Sequence, residues 1–401
     1  MRARRVTIAV VAITVSVAGL APATAAGAAP GGSGPAEPAA APVTFALLGD
    51  TPYGDAQRAQ FPALVDAVNA DPAIRFVLHA GDIKNGSSTC DDPRFADLAA
   101  LYDTFAHPFV LTPGDNEWTD CHRTTAGGYL PTERLEAVRR VFFPNPGWTL
   151  GQHRMPVLTQ ALDPRHSAYR ENVLFLRSRV LFATVHVVGS ENDLEPWSQL
   201  PGGDRPDLRL AEFAERLAAA LDWVDAAFTT ARLTGAAGVF LLMQAEPTAT
   251  PGFAEIRARI VAAARAYGKP VLLVHGDKHI YEIEPSYAGV PNLTRLETFG
   301  ATASQWLRVT VDPRTAGVSS PGSRRRSPDG LIRKARLQLS VDPAAQNHLA
   351  RTVTEEPNPG QLPVPVLGLD RQLRRGRYPV DIRRQPQRRV LVVHGFRYCY
   401  G

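Results

Sequence analysis

Cysteine is scarce in this chain, with three residues among 401. No two of them form the Cys-x-x-Cys pair of most structural zinc sites, which argues against a zinc-finger type of site. Long apolar runs are also few. Beyond the first 20 residues, no stretch is long enough for a membrane-spanning helix. The sequence also lacks internal repeats.

Net charge is divided unevenly along the chain. Residues from 316 onward carry 16 Lys and Arg against six Asp and Glu, so residues 1–315 are net negative although the whole chain is +5. The isoelectric point of about 9.2 therefore reflects the tail, and net charge predicts no nucleic-acid partner for the body. We predict that the basic, Arg- and Pro-rich tail (316–401) is mostly disordered. It could hold acidic polymers, or it could result from a shifted reading frame in GC-rich DNA.

The N-terminus has the organisation of a signal peptide over residues 1–29. Three arginines precede an apolar run at 6–20, and small residues at 23–25 form an Ala-x-Ala cleavage site. An N-terminal membrane anchor is the alternative. Residues 30–42, rich in Ala, Pro and Gly, predict a linker. We therefore expect an exported protein, secreted or in the cell envelope, without a membrane span after cleavage.

Four apolar runs in the body end in the dipeptide Gly-Asp. These dipeptides are Gly49-Asp50, Gly81-Asp82, Gly114-Asp115 and Gly276-Asp277. Any one of them could be an ordinary turn. Four such ends, each closing a predicted strand, instead predict carboxylates that meet at a sheet edge, where they repel each other unless a cation lies among them. The pattern indicates a polycarboxylate metal site.

Cys90 and Cys121 each lie a few residues past one of these Gly-Asp turns. Because export permits oxidation, we predict a disulfide between them, closing a loop of about 30 residues and contributing ~3 kcal/mol. Cys399, in the tail, is expected to stay unpaired.

The body, residues 43–315, is long enough for one α/β domain in which strands alternate with helices. Hydrophobic periodicity predicts helices at 56–69, capped by Asp55, around 132–142, at 213–228 and at 253–267. Strands are predicted at 180–188, 238–243, 271–274, 279–283, 292–299 and 306–311. This order fits a mixed sheet that ends in antiparallel strands, with helices outside.

The ordered motifs of the body resemble those of the calcineurin-like metallophosphoesterases. The family pattern runs Asp-x-His, Gly-Asp, Gly-Asn-His-Asp/Glu, a lone His, and Gly-His-x-His. Asp50, Asp82, Glu117 and His279 match it. The resemblance implies an α/β/β/α sandwich, two mixed sheets flanked by helices. It also implies hydrolysis of phosphomonoesters or phosphodiesters with two divalent metal ions.

Five positions depart from the family pattern, namely Pro52, Asp115, Asn116, Gln244 and Asp277. At two of them, Gln244 and Asp277, an oxygen ligand replaces an imidazole. By resemblance, one metal position keeps Asp50, Asp82 and His279. The other is formed by Asp82, Asp115, Gln244 and Asp277, with Glu246 as an alternative to Gln244. Carboxylate and amide oxygens favour magnesium, manganese or calcium over zinc.

The resemblance further implies a phosphoesterase in which a metal-bound hydroxide attacks a phosphorylated small molecule. Asn116 stands where the family has its proton donor, and an amide cannot act as an acid. Either His122 substitutes, or the leaving group is already good. Lys84, Arg123 and Lys278 are predicted to contact phosphate oxygens, and His79 to be a core or supporting residue. The alternative function is a catalytically inactive protein that binds a cation or a phosphorylated ligand. The sequence predicts no oligomeric state.

Overall fold

The computed structural model describes residues 41–301, 305–313, 338–342, 390–393 and 396–399. The predicted signal peptide and nearly all of the predicted linker lie outside the described residues, as does most of the basic tail. The predictions for those segments therefore stay predictions.

The described elements alternate between strand and helix through most of the body. The helices are α1 (Gly54–Asn69), α2 (Asp92–Tyr102), α3 (Pro131–Phe142), α4 (Gly189–Asp193), α5 (Pro206–Leu233) and α6 (Ala254–Tyr267). The strands are β1 (Val43–Leu48), β2 (Ile74–His79), β3 (Phe109–Leu111), β4 (Leu158–Thr159), β5 (Val173–Arg177), β6 (Val180–Thr184), β7 (Gly238–Leu242), β8 (Val271–His275), β9 (Glu282–Glu284), β10 (Leu293–Glu297), β11 (Leu307–Asp312), β12 (Gln338–Asp342), β13 (Val390–Val393) and β14 (Phe396–Cys399).

Two mixed sheets form the centre of the domain. One has the strand order β12-β11-β1-β2-β3, and the other has the order β4-β5-β6-β7-β8-β10-β9. In the first sheet β1, β2 and β3 run parallel, and β11 runs antiparallel to β1. In the second sheet β6, β7, β8 and β10 run parallel to one another. The carboxyl ends of several neighbouring strands therefore emerge together, which is where ligands bind in α/β folds.

The two sheets pack face to face through a shared apolar core rich in phenylalanine. Phe45 of the first sheet stacks on Phe76 at 4.8 Å between ring centroids, and it meets Phe182 and Phe240 of the second sheet edge-on at 5.5 Å. These offset and perpendicular arrangements suit the quadrupoles of the rings. Separate apolar clusters bury the outer faces beneath the helices. The fold is an α/β/β/α sandwich, as predicted.

Apart from the short helix α4, which was not predicted, the helices occur close to their predicted positions, with three differences. Asp55 does not cap α1 but lies in its first turn, and the Tyr53 N–H donates instead to Gln57 Oε1 at 2.7 Å. Helix α5 is longer than predicted. Helix α2 was not predicted, although the Asp91 side chain caps it by accepting from the Arg94 N–H. Within the part of the chain that the structure describes, no helix combines the length and apolar character needed to cross a bilayer.

The late strands are arranged differently from the predicted run of antiparallel strands. Strand β10 pairs antiparallel with β9 but parallel with β8, and β11 belongs to the other sheet. The strand predicted over 180–188 ends at Thr184. In the basic tail, for which we predicted disorder, β12 pairs with β11, and β13 pairs with β14. The domain boundary at residue 315 itself stays a prediction.

Candidate metal centre

Four aspartates lie at one edge of the sandwich, each within four residues of the end of a strand. Asp50 follows β1, Asp82 follows β2, Asp115 follows β3 and Asp277 follows β8. The first three strands belong to one sheet and β8 to the other. The carboxylates therefore converge because both sheets direct their strand ends to the same edge.

These aspartates and His279 form two triads that share Asp82. Asp50, Asp82 and His279 form the first triad, and Asp82, Asp115 and Asp277 form the second. In each triad, one ligand atom from every residue lies within 4.8 Å of the others. The structure thus brings together the five predicted metal ligands that are aspartate or histidine, in the two groups that the sequence resemblance implied.

The first triad contains two buried atoms without a hydrogen-bond partner, Asp50 Oδ2 and His279 Nε2. Asp50 is fully buried, and its other oxygen, Oδ1, accepts from the Asp277 N–H at 3.0 Å. His279 Nε2 lies 3.4 Å from the same Oδ1. Because buried polar atoms are almost always paired, a cation bound between these two atoms would supply the partner that each lacks.

In the second triad, the carboxylates are instead bonded to donors. Gln244 Nε2 donates to Asp115 Oδ1 at 3.1 Å and to Asp277 Oδ1 at 2.9 Å. Its Oε1 accepts from the Gly189 N–H at 2.6 Å. Gln244 therefore lies in the cluster but presents its amide nitrogen to the carboxylates, so its role as an oxygen ligand stays a prediction.

Glu246, the predicted alternative to Gln244, makes other contacts. It forms an ion pair with Lys278 at 2.5 Å and lies 3.5 Å from Arg295. As placed, it does not belong to either triad.

Burial and mutual repulsion dominate the electrostatics of the centre. Desolvation and the neighbouring Asp115 raise the pKa of Asp82 well above its ordinary value and that of Asp277 to about 7. Desolvation likewise raises the pKa of Glu117 to about 7. A bound cation offsets such repulsion and stabilises the ionised forms. Asp50 Oδ2 and His279 Nε2, which lack hydrogen-bond partners, and the buried carboxylate oxygens around them therefore fit divalent ions.

Glu117 and His79 hold the loops that carry Asp82 and Asp115 and the segment after Asp50. Glu117 Oε1 accepts from the Gly114 N–H at 2.5 Å, and its Oε2 accepts from the Ile83 N–H at 3.3 Å. His79 is buried, as predicted; its Nε2 lies 2.9 Å from the Thr51 carbonyl oxygen and its Nδ1 accepts from the Gly81 N–H. These contacts tie the backbones on either side of the aspartates to the sheet.

Asn116 lies directly beside Asp82, the residue shared by the two triads. Its Nδ2 donates to Asp82 Oδ2 and to Tyr53 Oη, both at 2.7 Å. The Tyr53 hydroxyl in turn donates to Asp82 Oδ2 at 2.8 Å, and its ring meets His279 edge-on. Tyr53 was not among the predicted site residues, although its position three residues after Asp50, in the loop that leaves β1, was a signal for it.

His122 makes its hydrogen bond away from the triads. Its Nδ1 accepts from the Gln199 N–H at 3.3 Å. Desolvation and the adjacent Arg123 lower the pKa of its imidazole. This hydrogen bond does not join His122 to the aspartates, and its role as a substitute acid stays a prediction.

The three predicted phosphate-binding residues differ in setting. Lys84 is buried, which lowers its pKa to about 8, and its Nζ donates to the Asn85 carbonyl oxygen. Arg123 is partly exposed and pairs with Asp120 at 2.7 Å. Lys278 is the most exposed and is held by Glu246. Among these, Lys84 and Arg123 lie in the loops that carry Asp82 and Asp115.

Cys90 and Cys121 form a disulfide, with 5.8 Å between their Cα atoms. This confirms the predicted pairing. Both cysteines are fully buried, and both sulfur atoms lie against the Asn116 carbonyl oxygen at 3.7 and 3.8 Å. The disulfide therefore links the loop after β2 to the loop after β3 directly behind Asn116.

The turn α4 (Gly189–Asp193) also contacts the centre and was missed in the sequence analysis. Ser190 Oγ donates to Asp115 Oδ2 and to Asp120 Oδ1, both at 2.9 Å. The backbone of the turn is left-handed: φ is 50°, 54° and 54° at residues 190–192 and 63° at Asp193. Such a conformation costs ~1–2 kcal/mol for each residue with a side chain. In the sequence, the Gly-Ser dipeptide that follows the mostly apolar run 185–188 was the available signal for this turn.

Residues 43–227 match the model of the family described as calcineurin-like phosphoesterase. The match covers slightly less than half of the chain, and it makes this stretch similar to the calcineurin-like phosphoesterases. The match includes Asp50, Asp82 and Asp115, whereas Asp277 and His279 lie beyond it. The family uses divalent metal ions, and its members act on phosphorylated substrates.

A search of curated proteins gave no match. Among solved structures, one match is described as "GAP50 the anchor in the inner membrane complex of Plasmodium". It is 11% identical, the TM-score is 0.39, and the match covers 68% of this chain and 82% of that chain. At this identity and TM-score, the likeness carries no functional argument.

Proposed function

We propose that this protein is an exported phosphoesterase that hydrolyses a phosphate ester with two divalent ions. The observation that carries the proposal is the pair of triads that share Asp82. A single shared carboxylate between two ligand sets is the arrangement needed to hold two ions close together. The buried, unpartnered Asp50 Oδ2 and His279 Nε2 support the same assignment.

Divalent ions bound at the triads would supply Lewis-acid activation of water and offset the charge of the phosphate. The chain itself supplies the remaining functions. Asp82 is held by the Asn116 backbone N–H and side chain and by the Tyr53 hydroxyl, which fix its orientation. Arg123 is partly exposed and pairs with Asp120, which shares the Ser190 hydroxyl with Asp115, and it is the cation proposed to approach a phosphate oxygen from solvent.

The residue at the family's proton-donor position limits the substrate class. Asn116 uses both hydrogens of its amide group to bond Tyr53 and Asp82, and an amide gives up no proton at neutral pH. We therefore propose a substrate whose leaving group departs without protonation, such as an aryl phosphate or a phosphoanhydride. An alkyl phosphate should react far more slowly.

The test is hydrolysis of an aryl phosphate by the full chain after metal removal and reloading. We expect no hydrolysis with chelator, recovery with Mn²⁺ or Mg²⁺, and a loss of about a thousandfold or more in Asp82→Asn. Asp97→Asn is the matched control because Asp97 forms an exposed ion pair with Arg58 on the surface; it should retain full activity. If the reloaded wild-type protein is no faster than the chelated one, the proposal is wrong.

Asn116 also favours a second function. A domain that lacks an acid at this position could bind a cation or a phosphorylated ligand without turning it over. Its signature would be metal binding by the wild-type protein together with no hydrolysis of either aryl or alkyl phosphates.

We also propose export, on the basis of the N-terminal apolar run and the Cys90–Cys121 disulfide. Disulfides persist in oxidising compartments and are rare in the cytosol. Mass spectrometry of the protein recovered from the cells that produce it should find a mature chain that begins near residue 30. Recovery only from the cytosol, with Met1 or the intact leader retained, would contradict export.

A further inference from the structure

A turn that lies outside the family motifs, α4, supports the second triad. Within α4, the Gly189 N–H donates to Gln244 Oε1, and the Ser190 hydroxyl donates to Asp115. A Cβ atom on Gly189 would lie 2.6 Å from Asp115 Oδ2 and 2.7 Å from Asp277 Oδ1. The turn therefore lies against Asp115 and Asp277, the two carboxylates that belong to the second triad alone.

A left-handed turn of this length needs strong support from its surroundings, because side chains disfavour that backbone. Arg216 of helix α5, which is fully buried, provides part of this support. Its Nη1 donates to Asn192 Oδ1 at 2.5 Å and its Nη2 donates to the Asn192 carbonyl oxygen at 2.9 Å. The guanidinium thus binds both the side chain and the backbone of one residue of the turn.

Further contacts hold the other residues of the turn. Asn192 Nδ2 donates to the Gly252 carbonyl oxygen, and Glu191 Oε1 accepts from the Gly252 N–H at 2.9 Å. Asp193 Oδ1 accepts from the hydroxyl of Thr119 at 2.5 Å. The turn is therefore held from three sides, by helix α5, by the loop before α6 and by the segment after Asp115.

We propose that Arg216 and Ser190 are positioning residues for the second triad and set its affinity for the second metal ion. Arg216 acts through Asn192 and the turn, and Ser190 acts directly by orienting Asp115. Groups that orient metal ligands in this way usually change metal affinity by about 10- to 100-fold when removed. This inference rests on the proposed two-ion function, and it concerns one of the two ions only.

The experiment titrates Mn²⁺ into the metal-free full chain by calorimetry, for the wild type, Arg216→Lys and Ser190→Ala. Lysine keeps the charge of Arg216 but lacks the planar fork whose two nitrogens donate to the two oxygens of Asn192. We expect one of the two affinities to fall by about 10- to 100-fold in each variant, while the other stays within about twofold. Electron paramagnetic resonance should show, at matched Mn²⁺, fewer exchange-coupled ion pairs and more isolated ions.

Arg139→Lys is the matched control. Arg139 is a buried arginine on helix α3, and it pairs with Glu171 at 2.7 Å rather than with Asn192 of the turn. Its replacement should lower the melting temperature while leaving both Mn²⁺ affinities unchanged. This comparison separates positioning from general loss of stability.

Unchanged affinities in both Arg216→Lys and Ser190→Ala would overturn the inference. Equal weakening of both sites would also overturn the inference, because it states that Arg216 and Ser190 act on the second triad and not on the first. A wild-type protein that binds no Mn²⁺ would instead refute the proposed function on which it rests. The two failures are therefore distinguishable by the wild-type titration alone.

Discussion

The two triads share Asp82 but differ in how their other atoms are occupied. In the first triad, Asp50 Oδ2 and His279 Nε2 are buried and unpartnered. In the second, both oxygens of Asp115 accept hydrogen bonds, from Gln244 and from Ser190. An ion entering the second triad must replace these donors, whereas an ion entering the first has unpartnered atoms to bind. We therefore expect the first triad to bind its ion more tightly.

The triads also differ in chemistry. The first contains an imidazole, a ligand that zinc and other transition metals accept readily. The second has only carboxylates, which favour hard ions such as Mg²⁺ or Mn²⁺. Two ions of different preference could therefore occupy one centre.

The largest effect is expected from Asp82→Asn, because it changes both triads at once. The amide keeps the shape but removes the charge that would lie between two cations. At least one ion should be lost, and aryl phosphate hydrolysis should fall by about a thousandfold or more. In chelator, the variant should be as stable as the wild type or more stable, because the cluster repels itself less.

Calorimetric melting of both proteins, with chelator and with Mn²⁺, checks this pair of opposite effects. If Asp82→Asn binds Mn²⁺ as well as the wild type does, the metal centre is not at these residues. A loss of stability with and without metal would mark Asp82 as a structural turn residue.

Two glycine substitutions should separate the triads. Gly189→Ala places a methyl group against Asp115 and Asp277, whereas Gly300→Ala places one against Asp50, with its Cβ 2.7 Å from His279 Cδ2. We expect each to weaken one ion by about 10- to 100-fold and to spare the other. Mn²⁺ titration of both variants measures this. Loss of the same ion in both would show that the triads are not independent positions.

His279→Asp should make the two triads chemically alike. Replacing the imidazole by a carboxylate should lower the preference of the first triad for Zn²⁺ over Mn²⁺ by about tenfold. Competition of the two ions for the metal-free protein measures the preference. An unchanged ratio would mean that His279 does not bind the ion.

The smallest effect is the pH dependence of the metal-free protein. Burial and neighbouring carboxylates raise the pKa of Asp277 from 3.8 to about 7 in the folded state. The folded protein then holds a proton that the unfolded chain has lost, so stability should fall as pH rises from about 4 to about 7. In chelator, the melting temperature should drop by several degrees between pH 5 and pH 8. With Mn²⁺ bound, the melting temperature should not drop over this range. Protons and the ion compete for the same carboxylates, so the ion binds more tightly as the pH rises.

The convergence of the four aspartates could be predicted from the sequence for a definite physical reason. An apolar strand that ends in Gly-Asp delivers its carboxylate to the sheet edge, and the order of the motifs matches a known family pattern. Helices α3 and α6 could be predicted from their periodicity for a similar reason, since their apolar faces depend only on local spacing.

The supporting contacts could not be predicted, because they depend on how distant segments meet. Ser190 reaches Asp115 through a left-handed backbone that its residue types do not indicate. The orientation of Gln244 is determined by the Gly189 N–H, 55 positions away in sequence. The parallel pairing of β10 with β8 is likewise a matter of tertiary packing.

The most direct test of the two-ion centre is the number of ions that the wild-type chain binds. Metal-free protein should be equilibrated with Mn²⁺ by dialysis and its metal content measured by elemental analysis. Two ions per chain, with the first bound more tightly than the second, is the predicted result. One ion or none would contradict the two triads that share Asp82.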